Sequence, residues 1–187
     1  DTDPQTDGLK GIPLNITNAN NLEALNGKVY VSGRGDYGSV TGGVDVIDTS
    51  SWEASTLLAT NALADLSDAD NSVWYHIKDV AVTADGQLYV AANLESGYTT
   101  LSSSLYTLDA DTGATSVLDL HALTGISATT DIQLGDINVD SNNRLWAAIL
   151  NSDAPSLLVI DTDTNSRNGD LIELDMPASR IEFLTID

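Results

Sequence analysis

The sequence predicts an all-β fold assembled from repeated four-stranded antiparallel sheets, and three observations predict it. One layout recurs three times, as "LEALNGKVYVSG", "VAVTADGQLYVAAN" and "INVDSNNRLWAAIL", followed by "GVDVIDTSSW", "SLYTLDADTGA" and "SLLVIDTDTNS". The recurrence has a period in the fifties: the turn positions Gly27, Gly86 and Asn143 are 59 and 57 residues apart, and the strand-ending Asp48, Asp109 and Asp161 are 61 and 52 apart, a mark of repeat architecture. Within each copy, apolar alternation rich in β-branched and aromatic residues is broken at Asn-Gly, Asp-Gly or Asn-Asn, which supply the positive φ of tight hairpins.

Each element follows from these signals. "GKVYV", "GQLYVAA" and "NRLWAAI" are the second strands of hairpins. A third strand comes next ("DVIDT", "LYTLDA", "LLVIDT"), then a fourth beyond a turn ("STLLAT", "TSVLDL", "GDLIELD"). Four antiparallel strands per repeat make a propeller blade. The helix-like stretches "TNALADLSDAD" and "LDLHALTG" read as connections between blades. The division is an N-terminal tether and first strand over 1–19, blades over 20–73, 74–130 and 131–178, and the start of a further blade over 179–187, where "FLTID" aligns with "DINVD" and puts Phe183 opposite Asp136. Val80, Val82, Ile137 and Val139 hold matching places and are expected between neighbouring sheets.

"GDINVDSNNRLWAAI…LLVIDTDT" resembles the blade of NHL-type, gluconolactonase-like and streptogramin-lyase-like six-bladed propellers, and "LYTLDADTGATSV" is similar to their Asp-x-x-Thr-Gly turn. The resemblance runs from Leu22 to Asp187 and specifies a blade, not an activity. It implies a partial propeller of about three blades. In the gluconolactonase-like family an Asp at the position of Asp136 is a metal ligand, although Gly135 stands where that family has proline.

Composition bounds the function. With 28 Asp and Glu against 7 Lys and Arg, the net charge of −21 argues against nucleic acid or anionic membranes as partners and for cations. It suits solubility at high ionic strength. Cysteine is absent, which removes disulfides, thiolate metal sites and cysteine nucleophiles. No apolar run reaches the roughly 18 residues of a membrane span. The polar opening "DTDPQTDGLKG" reads as a tether left after removal of a signal or lipid anchor, placing the protein outside the cell, in a periplasm or on a cell surface.

Candidate site residues follow from blade geometry. Asn21, Asp79 and Asp136 stand where inner strands meet a central channel, and are oxygen donors suited to calcium; capping strand ends and holding channel water is the other role open to them. Asp161, Asp163 and Asn165 alternate like the first ligands of an EF-hand loop, but the sixth-position Gly and twelfth-position Glu are missing. As a turn, that loop needs only its own Asp and Asn. Trp74 and Tyr75 could floor a ligand-binding surface, and His76, or less directly His121, could serve as a general base. Arg34, Gly35 and Asp36 form an isolated adhesion-like tripeptide. No serine-nucleophile elbow, phosphate loop or dinucleotide fingerprint occurs. The expected function is a non-catalytic binding or scaffold part of an exported propeller protein; the alternative is a metal-dependent hydrolase or lyase with a channel cation. The apolar "RIEFLTID" is expected to pair with a protein partner: the remaining blades, a second copy or a separate subunit.

Overall fold

The computed structural model describes residues 11–36, 41–59, 63, 73–97, 99–151 and 153–183. Three antiparallel sheets follow one another along the chain. The first blade is β1 (Ala19–Leu25), β2 (Lys28–Gly33), β3 (Gly43–Asp48) and β4 (Glu53–Ala59). The second is β5 (Val73–Val82), β6 (Leu88–Ser96), β7 (Thr99–Leu108) and β8 (Thr115–Leu118). After the short helix α1 (Leu120–Thr124), the third comprises β9 (Leu134–Val139), β10 (Arg144–Ile149) and β11 (Ser156–Asp161), and its outer edge is split between β12 (Ser166–Arg167) and β13 (Ile172–Glu173), both paired to β11. The fourth strand read in "GDLIELD" is thus only two residues long, with Asn168 and Gly169 between the two pieces.

Turn chemistry explains the repeat. Asn26 (φ 50°) and Gly27 (φ 79°) both adopt the left-handed conformation of a two-residue hairpin, whose twist matches that of the strands. The recurring aspartates cap the turns after the third strands. Asp48 Oδ1 accepts from Ser50 N, Asp109 Oδ1 from Asp111 N and Thr112 N, and Asp161 Oδ1 from Asp163 N and Thr164 N. Side-chain acceptors of this kind replace missing backbone partners.

Blades stack through two apolar layers. Tyr30, Val44 and Leu58 of the first blade meet Ile77, Val80, Leu88, Val90 and Leu108 of the second. Tyr89, Ala91 and Leu105 of the second meet Leu134, Ile137, Leu145, Leu158 and Ile160 of the third. Val80 and Ile137 are fully buried, whereas Val82 and Val139, one step from the hairpin ends, are half-buried. "LDLHALTG" contains α1, capped by Asp119 and ended by Gly125 at φ 74°; its Leu120 and Leu123 seal the second layer. Of "TNALADLSDAD", only Leu63 lies among the described residues, and it joins the first layer.

The segment just before β1 packs on the first blade. Ile12, Leu14 and Ile16 pack on Val29, Val31 and Ile47, and buried Asp45 accepts from Asn15 N (2.6 Å) and Ile16 N (3.3 Å). Residues 1–10 lie outside the described part. No described helix is long and apolar enough to cross a membrane.

Candidate functional site

The axial site starts from an irregularity that recurs in every inner strand. In β1 the pairing jumps from Ala19 to Asn21, in β5 from Ile77 to Asp79, and in β9 one extra residue falls between Leu134 and Ile137. Each is a β-bulge, which re-aims the neighbouring side chain. Asn21, Asp79 and Asp136 stand at these bulges, and the structure brings them together.

Their hydrogen bonds hand over from blade to blade. Asn21 Nδ2 donates to Asp79 Oδ1 and, at 3.3 Å, to Val80 O. Asp79 Oδ1 also accepts from Val80 N at 2.8 Å, and its Oδ2 from Ile137 N of the next blade at 3.0 Å. Asp136 Oδ2 in turn accepts from Ile181 N at 2.6 Å, while Asn138 Nδ2 donates to Ile181 O at 3.0 Å. Ile181 therefore follows Val80 and Ile137 in this series, and the axial position of the next segment is Arg180. This corrects the alignment that put Phe183 there. The alignment followed apolar pattern, which cannot register a strand across a shortened repeat: Ile181 comes 44 residues after Ile137, against 57 from Val80 to Ile137. Phe183 instead packs edge-on against Trp146, 5.7 Å between centroids.

Electrostatics mark Asp79 as the unusual group. Burial, then the adjacent Asp136 carboxyl as hydrogen-bond partner and like charge, push its pKa up to about 8, against the opposing pull of Ile137 N and Asn21. Asp79 thus holds a proton at neutral pH, as a buried carboxyl beside a second one does. Burial, with Asp136 adding to it, also raises Glu23. These groups line a polar cleft of about 400 Å³ together with Asn20, Lys78 and Arg180.

The arrangement does not fit calcium. Such an ion takes six to eight oxygens, but Asn21 turns its nitrogen to Asp79, and Asp79 and Asp136 already accept from backbone amides. Among the described residues no three His, Cys, Asp or Glu groups converge as a metal set. The Asp161 loop is likewise complete in itself: Asp161 caps its own turn through the amides of Asp163 and Thr164, the Asp163 residue is exposed, and Asn165 (φ 51°) accepts from Tyr89 OH at 2.7 Å.

Trp74, Tyr75 and His76 do not form one surface, because successive strand residues point to opposite faces. Tyr75 packs on the first apolar layer. Trp74 and His76 share the other face, with ring centroids 5.8 Å apart, and both are buried. His76 belongs to a polar group that sequence reasoning missed. Arg34 Nε donates to His76 Nδ1 at 2.7 Å, an Arg34 terminal nitrogen pairs with buried Glu95 Oε2, and Glu95 Oε2 lies 3.7 Å from His76 Nδ1. Burial lowers the His76 pKa, Glu95 opposes that and Arg34 adds to it. The available signal was Glu95 itself, a charge inside the apolar run "LYVAANLES". His121 lies apart in α1, its Nδ1 3.3 Å from Ile126 O.

Stacked four-stranded blades joined at bulged inner strands define a β-propeller arc. A GH43 β-1,3-galactosidase solved with galactodeoxynojirimycin superimposes with a TM-score of 0.55 over 88% of this chain and 63% of that one, at 14% identity. A regucalcin from Agrobacterium tumefaciens, described as a calcium-binding protein, matches with a TM-score of 0.44 over 81% of this chain and 44% of that one, at 15% identity. The first likeness shows the fold; this chain spans less than two thirds of the length of either neighbour. No family model and no curated protein matches the sequence.

Proposed function

We propose that this chain contributes three consecutive blades to an exported, acidic propeller that works as a binding scaffold rather than as a catalyst. The observation that carries the reading is the use of the axial carboxylates. Asp79 and Asp136 line the axial cleft, but each spends a carboxyl oxygen on clamping a backbone amide, of Ile137 and Ile181 respectively. Calcium, the cation the sequence points to, would have to compete with those amides for the same carboxyl groups.

Further blades are part of the proposal. Leu22 occupies in the first blade the place of Val80 and Ile137, which are 0% and 1% exposed, yet Leu22 is 60% exposed. Covering such a side chain is worth roughly 1.5–3 kcal/mol, and another blade with a polar residue at its inner bulge would do so as the second and third blades are covered. The test is light scattering combined with hydrogen exchange at Leu22 and Ile181 and a calcium titration after chelation. Protected amides at both positions in a ring-sized species, with no calcium heat, support the reading. A monomer with a freely exchanging Leu22 amide, or calcium binding that stabilises the fold, overturns it.

A further inference from the structure

His76 is held in a way that only its neutral form allows. Its Nδ1 accepts from Arg34 Nε at 2.7 Å, so the ring proton sits on Nε2, which is buried and has no hydrogen-bond partner. The charged groups that face the ring among the described residues are Arg34, at the end of β2 in the first blade, and Glu95, in β6 of the second. Trp74 lies against the ring from its own strand. Glu95 is nearly fully buried, whereas the Arg34 side chain is 45% exposed. The three groups thus cross from one blade to the next, and only Arg34 has a way out to solvent.

A proton taken from solvent by Nδ1 turns that atom from acceptor to donor. Two donors then face each other across the former hydrogen bond, and two cations compete for one carboxylate. Glu95 Oε2, 3.7 Å from Nδ1, is the acceptor within reach of a small ring movement, and the imidazolium–carboxylate hydrogen bond formed there is ionised on both sides, whereas the bond it replaces is ionised on the arginine side alone. Arg34 stays charged in water at little cost, but a buried imidazolium cannot stand without a partner.

We infer that Arg34, His76 and Glu95 form an acid-released latch between the first and second blades, in which protonation of His76 transfers Glu95 from the guanidinium to the imidazolium and frees Arg34. The axial contacts of Asn20 and Asn21 with the second blade include one titrating group, Asp79, whose pKa of about 8 keeps it protonated below the ordinary histidine value, so release loosens this part of the blade junction and the start of the β2–β3 connection rather than the whole junction.

The experiment is an NMR titration of the full chain from pH 7.5 downward. It follows the His76 ring, separated from His121 with a His121→Gln variant, and the Arg34 Nε–H resonance, which slow exchange makes visible while the bond holds. The expected result is one common midpoint below the ordinary histidine value, at which the Arg34 signal is lost. In His76→Gln, whose side-chain oxygen can accept from Arg34, the signal persists through that range, and Glu95→Gln moves the His76 midpoint lower. The inference is overturned if Arg34 Nε–H survives protonation of His76. It is also overturned if the signal is lost at the same pH in His76→Gln, or if His76 stays neutral until the chain unfolds.

Discussion

Replacing Asp79 with Asn should make the protein more stable in mild alkali and less stable in acid. Asp79 has a pKa of about 8 in the folded chain against an ordinary 3.8. Between those values the native state holds a proton that the unfolded chain has released, so stability is fullest below pH 3.8 and falls as pH rises through the window. At about 1.4 kcal/mol per unit, roughly three units accumulate by pH 7 and the loss is on the order of 4 kcal/mol. Asparagine cannot ionise and removes that loss. It also has a cost: its oxygen keeps the donors Asn21 Nδ2 and Val80 N, but its nitrogen replaces the Oδ2 that accepts from Ile137 N. A buried amide without an acceptor costs about 1–3 kcal/mol. By pH 8 roughly four units have accumulated, so Asp79→Asn should gain about 3 kcal/mol over the parent there and lose about 2 kcal/mol at pH 4. Urea unfolding of both proteins at the two pH values measures this directly. A difference with the same sign and size at both would refute the account of Asp79 as a carboxyl held protonated by its surroundings.

Gly113 and Gly125 both have left-handed backbone, but a Cβ on Gly113 would meet Leu57 O of the first blade at 2.2 Å while one on Gly125 meets nothing within 4 Å. In denaturant unfolding Gly113→Ala should cost several kcal/mol, and Gly125→Ala about 1 kcal/mol. Tyr89→Phe removes the bond to Asn165 and should cost about 1 kcal/mol; in the parent, burial with Asp85, Asp161 and Asp163 pushes the Tyr89 phenol up to about 12, so ultraviolet titration should show one tyrosine ionising about two units after an ordinary one. Asp161→Ala leaves the amides of Asp163 and Thr164 without their cap and should lower the melting temperature by a few degrees, and calcium should not restore it.

How far the sequence could be read depends on the range of the interaction that fixes each feature. Blades and hairpins were legible because the signals are local: Asn26-Gly27 forces a turn, and a strand-ending aspartate caps the next three residues whatever surrounds it. Asn21, Asp79 and Asp136 were legible as a set through their matching places in the repeats. Their use was not, because a bulge leaves no mark on apolar periodicity and an acceptor bound to an amide looks in sequence like one awaiting a cation. Arg34 and Glu95 lie 61 residues apart in places that are not equivalent in the repeat, and only packing of two blades makes them partners. The position of Ile181 was hidden for a related reason: β12 and β13 shorten the third repeat, so a register copied from the second misplaces the next inner strand.

The acidity of the chain has a structural component that the search for a partner obscures. Among the described residues the hairpins leave room for a single short helix, so backbone donors are left over at turns and bulges rather than at helix ends, and each needs an acceptor. Asp48, Asp109, Asp140 and Asp161 supply one at turns, and Asp45, Asp79 and Asp136 supply one where one segment or blade meets another. A short carboxylate reaches an amide two or three residues ahead and tolerates the turn conformation, which Lys, Arg and Glu do less well. Repetition multiplies that choice, so the carboxylates most often singled out by pattern are those most fully committed to their own backbone. A cation would have to outbid those amides, which makes the exposed carboxylates, not the axial ones, the source of the charge felt by a partner in solution.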